Sequence, residues 1–128
     1  MVATGFSEVQ AGRGRKTLMA DAVKDGVFRS KALVKALKEK DAVAAEAVDR
    51  ACHWLAVATG NMINTFSPDL VIYGGGVIEA LGDLFLGKIL AEVDRYCMPM
   101  IRSTVDIKNA SLGDDSILYG DLAMIKGM

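Results

Sequence analysis

Cysteine, proline and histidine are scarce in this 128-residue chain, which has two, two and one of them. Each shortage removes a class of function. Cys52 and Cys97 stand too far apart for a disulfide framework or a zinc motif, and no second histidine joins them as a ligand. Such cysteine usage suits a reducing, cytoplasmic setting. His53 lies among Cys52, Trp54 and Leu55, where helix packing or a surface position explains it better than metal binding or base catalysis. An excess of one charge is also missing. Fifteen basic and sixteen acidic residues leave a net charge of −1, so no global field draws nucleic acid or an anionic membrane. Long unbroken apolar runs are absent as well. The most apolar stretch, residues 42–66, contains Glu46, Asp49, Arg50, His53 and Asn61, which lipid does not accept in a spanning helix. The opening MVATGFSEVQAGRGRK lacks the order of a secretory signal.

What the chain does have is core material. With 52% apolar residues, it can form one globular unit. Residues 1–16 carry Gly5, Gly12 and Gly14 but few large apolar side chains, and read as a mobile N-terminal arm. Arg13, Arg15 and Lys16 within it lack the spacing of a phosphate loop. Helical spacing begins at Thr17 with Leu18, Ala22 and Val23, and Gly26 stops it. Ser30 is placed to cap a helix over residues 30–40. Asp41 then caps a long helix whose buried face is Ala44, Val48, Ala51, Leu55, Ala58, Met62 and Phe66. Its many alanines imply close approach to a neighbour.

Ser67, Pro68 and Asp69 end that helix, because proline brings no amide donor. The short run Leu70 to Tyr73, with its β-branched Val71 and Ile72, predicts a strand. A helix carrying Leu81, Leu84, Phe85, Ile89, Leu90 and Val93 follows, ending near Pro99, and residues 104–108 alternate as a second strand. Strand, helix, strand in so short a span fits a right-handed crossover and a parallel pair. Met98 and Met100 read as core or interface filler. Asp114 or Asp115 is placed to cap a last helix with Ile117, Leu118, Leu122 and Ile125, which explains the two carboxylates more simply than a metal site. Two strands make a very small parallel sheet. Its edges call for a partner, a second copy or the rest of a larger domain.

Between the strand and its helix stand Gly74, Gly75 and Gly76, which serve equally as a tight turn or as a place where a ligand meets bare backbone. The succession ATGNMINTFSPDLVIYGGGVIEALGDLF, and the later SLGDDSILYGDLAM, resemble the C-terminal portion of the ROK family of sugar kinases and repressors. The resemblance runs from about Thr17 to the end, so residues 17–128 form an incomplete ROK-like domain. It implies an α/β fold: a helix-rich, partial actin-like (ribonuclease-H-like) ATPase domain with a small parallel sheet. It also implies that Gly74, Gly75 and Gly76 contact the adenosine of ATP, with Mg as its companion ion. Ile117, Asp121 and Leu122 depart from the small residues of the family's closing helix.

The family kinases also carry an N-terminal Asp-Gly-Gly phosphate loop, a second phosphate segment, an Asp base and a Cys- and His-rich zinc loop, none of which is found here. Phosphoryl transfer rests on charge positioned around phosphates and metal. The resemblance therefore implies the C-terminal lobe of an ATP-dependent kinase of a glucose-like hexose. The isolated chain is expected to be inactive and to need its N-terminal lobe or a homo-oligomeric partner. A non-catalytic dimerising or binding module related to ROK repressors is the alternative, and a plain α/β domain without a ligand is a third reading.

Overall fold

The computed structural model describes residues 17–19 and 30–127. The expected arm, 1–16, lies outside the described residues. So does most of the helix expected after Thr17, of which Leu18 and Met19 are seen in a 3-10 turn. In chain order follow α1 (Ser30–Lys38), α2 (Ala42–Phe66), β1 (Leu70–Tyr73), α3 (Gly76–Val93), a single turn α4 (Pro99–Arg102), β2 (Asp106–Asn109), a 3-10 turn (Gly113–Asp115) and α5 (Ser116–Lys126).

Helix α1 is shorter than the sequence predicts. Ser30 is itself helical, and the chain leaves the helix after Lys38 because Lys40 turns left-handed at φ 57°. Asp41 does cap α2. Its Oδ1 accepts from the amides of Val43 at 2.9 Å and Ala44 at 3.1 Å. Its Oδ2 accepts from the Thr17 hydroxyl and the Leu18 amide, both at 2.8 Å. One carboxylate thus starts α2 and ties residues 17–19 to it. Burial alone would raise its pKa, but the hydrogen bonds from Leu18, Thr17, Ala44 and Val43 outweigh burial and hold it below 3.8. A folded pKa below the unfolded one gives stability that is present above the unfolded value and lost as pH falls through the folded one. Asp41→Ala is therefore expected to cost about 1–2 kcal/mol at pH 7. In urea melts, its deficit against the native chain should shrink as pH drops below about 4. An equal deficit at both ends of that range would contradict this account.

The two long helices pack on each other, and α3 also packs on α1 and β2. Phe85, Ile89 and Val93 of α3 join Val43, Ala47, Val48, Cys52, Ala56 and Ile63 of α2 in the core. The predicted stripe on α2 holds only in its first half. Ala58 is exposed, as are Met62 at 54% and Phe66 at 72%, while Ala56, Thr59, Gly60 and Ile63 are buried instead. The helix is apolar on two adjacent faces, and α3 covers only one of them. Cys52 is a buried thiol, pushed up to about 11 mainly by burial, with Asp49 and Glu92 adding and Lys88 opposing. Such a thiol is inert at neutral pH.

The strands pair in parallel, Leu70 with Asp106 through Tyr73 with Asn109. The second strand starts two residues later than predicted, because Thr104 caps the preceding turn through its hydroxyl on Ile101 O. Pro99 does not close α3, which ends at Val93. It opens α4 instead, at a first-turn position where a missing amide costs nothing. Met98 and Met100 are exposed rather than core. Asp115 precedes α5 but makes no capping hydrogen bond. The 3-10 turn feeds directly into the helix with Asp115 already in the helical region, so its side chain is not placed to reach the first amides. Among the described residues no helix is long and apolar enough to cross a membrane.

Candidate functional site

The three glycines occupy the carboxyl end of β1, where strand passes into helix. Tyr73 is the last strand residue, and its hydroxyl shares a hydrogen bond with that of buried Thr59 on α2. This anchors the strand end from below. Tyr73 O accepts from Ala110 N at 2.7 Å, which fixes the same point from the side of β2.

The glycines are not equivalent. A Cβ on Gly74 would meet Ala110 Cβ at 3.5 Å, an ordinary contact. Gly75 has φ 106° and ψ 166°, a backbone region that side chains all but forbid. It is also the residue before α3 and supplies no side-chain cap. Beyond the adjoining backbone, a Cβ on Gly75 or Gly76 would meet nothing within 4 Å among the described residues. The loop is therefore open on its outer side. The first amides of α3 lack intrahelical partners and carry the positive end of the helix dipole.

Two further features gather there. Glu79, in the first turn of α3, places Oε1 3.5 Å from where a Cβ of Gly113 would stand, and Gly113 has φ 52°. The Leu-Gly-Asp turn thus lies against the start of α3, and the two sequence segments that carry the family resemblance meet. One turn further along, α3 kinks at Leu81 (φ −137°, ψ 18°). Beside the kink, a Cβ on Gly82 would come within 2.9 Å of Asn109 Nδ2. Asn109 Oδ1 is buried and has no hydrogen-bond partner among the described residues. Glu79 and Asn109 escaped sequence reasoning. The acidic residue three positions into a glycine-started helix was the available signal for the first; nothing local signals the second.

The other candidates do not join this site. His53 Nδ1 donates to Glu92 Oε2 at 2.7 Å and its ring meets Trp54 and Tyr96 edge-on, so it bridges α2 and α3. Among the described residues no group of three His, Cys, Asp or Glu side chains is gathered to hold a metal ion.

The ROK family model matches residues 8–128. The chain belongs to the ROK family. Among its ROK relatives, a glucokinase of Halalkalibacterium halodurans is 31% identical over 109 residues, which are 85% of this chain and 33% of that protein. A glucokinase of Thermotoga maritima is 32% identical over 97 residues, 76% of this chain and 30% of that one. The chain thus spans about a third of the length of the curated relatives it matches. Solved structures share its fold. A putative sugar kinase from Cytophaga hutchinsonii superposes with a TM-score of 0.75 at 16% identity, covering 98% of this chain and 40% of its own. A ROK family transcriptional regulator, a homologue of the Escherichia coli MLC protein, gives 0.63 at 18% identity over 84% of this chain and 26% of its own. The fold is thus the helix-rich, actin-like ATPase fold of ROK proteins, represented here by a two-stranded parallel sheet and its helices.

Proposed function

We propose that this chain is the C-terminal lobe of a ROK-type, ATP-dependent kinase of a glucose-like hexose, holding adenosine at Gly74, Gly75 and Gly76 and inactive by itself. The observation that carries the reading is the open outer side of the loop, where, among the described residues, nothing beyond the adjoining backbone stands within 4 Å of a Cβ on Gly75 or Gly76. A flat base and ribose can lie there against backbone. The first amides of α3 are donors for ring nitrogens or ribose oxygens, and Glu79 is an acceptor for a ribose hydroxyl. The same carboxylate disfavours phosphate at this spot. These residues bind and orient; they neither take the sugar's proton nor neutralise the transferred phosphoryl group. When bound, ATP supplies that group, and the charges and metal that stabilise its transfer belong to a second lobe.

The test is titration of the isotope-labelled full chain with ADP, adenosine and inorganic triphosphate. Saturable shifts are expected at the amides of Gly74, Gly75, Gly76 and Val77 with millimolar ADP. Adenosine should reproduce most of them, and triphosphate should not. Gly75→Ala, strained by about 1–3 kcal/mol at φ 106°, should weaken the response. Silence at millimolar nucleotide would sink the proposal. It would favour the non-catalytic module instead, a reading supported by the likeness to the regulator's fold.

A further inference from the structure

Asn109 is the last residue of β2 and stands beside Tyr73 across the ladder. Strand alternation puts it on the face of Ile107, which is buried in the core, and α3 packs over that strand. The glycines are one step away. The next residue, Ala110, donates its amide to Tyr73 O and supplies the Cβ that a side chain on Gly74 would meet. A polar side chain is costly here, because Oδ1 is buried and has no hydrogen-bond partner among the described residues. An apolar residue of the same size would avoid that cost.

The helix above it is irregular at the same point. Leu81 leaves the helical region at φ −137°, ψ 18°, which takes backbone groups out of the regular ladder. Gly82 follows, and its lack of a side chain lets the helix and Asn109 approach closely. A Cβ there would lie 2.9 Å from Asn109 Nδ2 and 3.4 Å from its Cγ. An orphan acceptor and an interrupted helix therefore meet. Before the kink stand residues 76–80, whose first amides face the candidate ligand; after it, Phe85, Ile89 and Val93 are locked in the core. The kink thus divides a segment that meets the ligand from one that is held.

We propose that Asn109 is a positioning residue of the nucleotide site: its Oδ1 accepts from a backbone amide of the kink, at Leu81 or Gly82, when adenosine draws residues 76–80 into place, and lacks that bond in the free chain. The unpaired acceptor destabilises the free form, so gaining the bond favours the bound one. A ligand shifts such an equilibrium only through contacts that differ between the two forms, and here these are its hydrogen bonds to the first amides of α3. The inference rests on the nucleotide reading of Gly74, Gly75 and Gly76.

Titration of the isotope-labelled full chain with ADP follows both. In the native chain the side-chain Nδ2 protons of Asn109 should shift with the same saturation as the Gly75 amide, and exchange at Leu81 or Gly82 should slow several-fold. Asn109→Leu should raise the melting temperature of the free chain by roughly 3–5 °C while weakening ADP binding roughly three- to tenfold. The opposite signs are decisive, since loss of a merely structural residue would lower both. A lower melting temperature for Asn109→Leu, or an unchanged affinity for ADP, overturns the proposal. Glycine amides that saturate while the Asn109 side chain stays still also overturn it, and leave the nucleotide reading intact. Silence at the glycines of the native chain removes that reading and this inference with it.

Discussion

Phe85→Ala is expected to remove about 3–5 kcal/mol of stability, the largest loss from a single truncation among the described residues. Phe85 is 1% exposed and belongs to the stripe of α3 that packs on α2. Truncation loses the transfer free energy of the ring and leaves a cavity that the flanking helices fill only in part. Domains of this size are stable by about 5–15 kcal/mol, so the variant loses a large share of its margin. A urea or thermal melt measures it. Phe66→Ala is the internal comparison: the same chemical change at a side chain 72% exposed should move stability by no more than about 0.5 kcal/mol. Similar losses at both positions would mean that the core does not lie between α2 and α3.

The second large effect is expected at Gly60, where addition of one methyl group is destabilising although alanine is the better helix former. A Cβ there would lie 2.5 Å from Tyr96 Cβ, 2.9 Å from Tyr96 O and 3.0 Å from Tyr96 C. Two of these are backbone atoms, and Tyr96 cannot retreat, because Asn64 grips it one turn later. Asn64 Nδ2 donates to Tyr96 O, and Asn64 Oδ1 accepts from Met98 N, both at 2.8 Å. Alanine gains about 1 kcal/mol of helix propensity over glycine. Overpacking costs about 1–3 kcal/mol, at the upper end when backbone must move. A net loss of about 2 kcal/mol is expected, together with loss of the slow exchange that Met98 N owes to Asn64. A neutral or stabilising Gly60→Ala would show that the loop after α3 yields freely.

These two positions also show what the sequence could and could not reveal. The alanine-rich composition of α2 announced close approach to a neighbour, and Gly60 meets Tyr96 in the turn after α3. Which of two adjacent apolar faces would be buried was not legible. Ala58, Met62 and Phe66 repeat as regularly as Ala56, Thr59 and Ile63, and only the position of α3 chooses between them. Local signals with one physical cause were readable: the Asp41 cap, the Pro68 stop and the β-branched strand. Capping by Asp115 was not, because a 3-10 turn put its backbone in the helical region beforehand. At the candidate site the three consecutive glycines stood out in the sequence, yet that Gly75 alone of the three has a positive φ depends on how β1 enters α3. The approach of Glu79 to Gly113 spans more than thirty residues, and no periodicity records it.

Helix α5 buries none of its residues, although Ile117, Leu118, Leu122, Met124 and Ile125 lie along it. Surface already wet in the native state adds nothing to the heat capacity of unfolding, which scales with the apolar area newly exposed. The free chain should therefore have a heat-capacity increment below the usual ~12–15 cal/mol/K per residue. Its curve of stability against temperature is correspondingly flat, with little to gain on cooling. Covering α5 would restore the curvature of a fully packed domain.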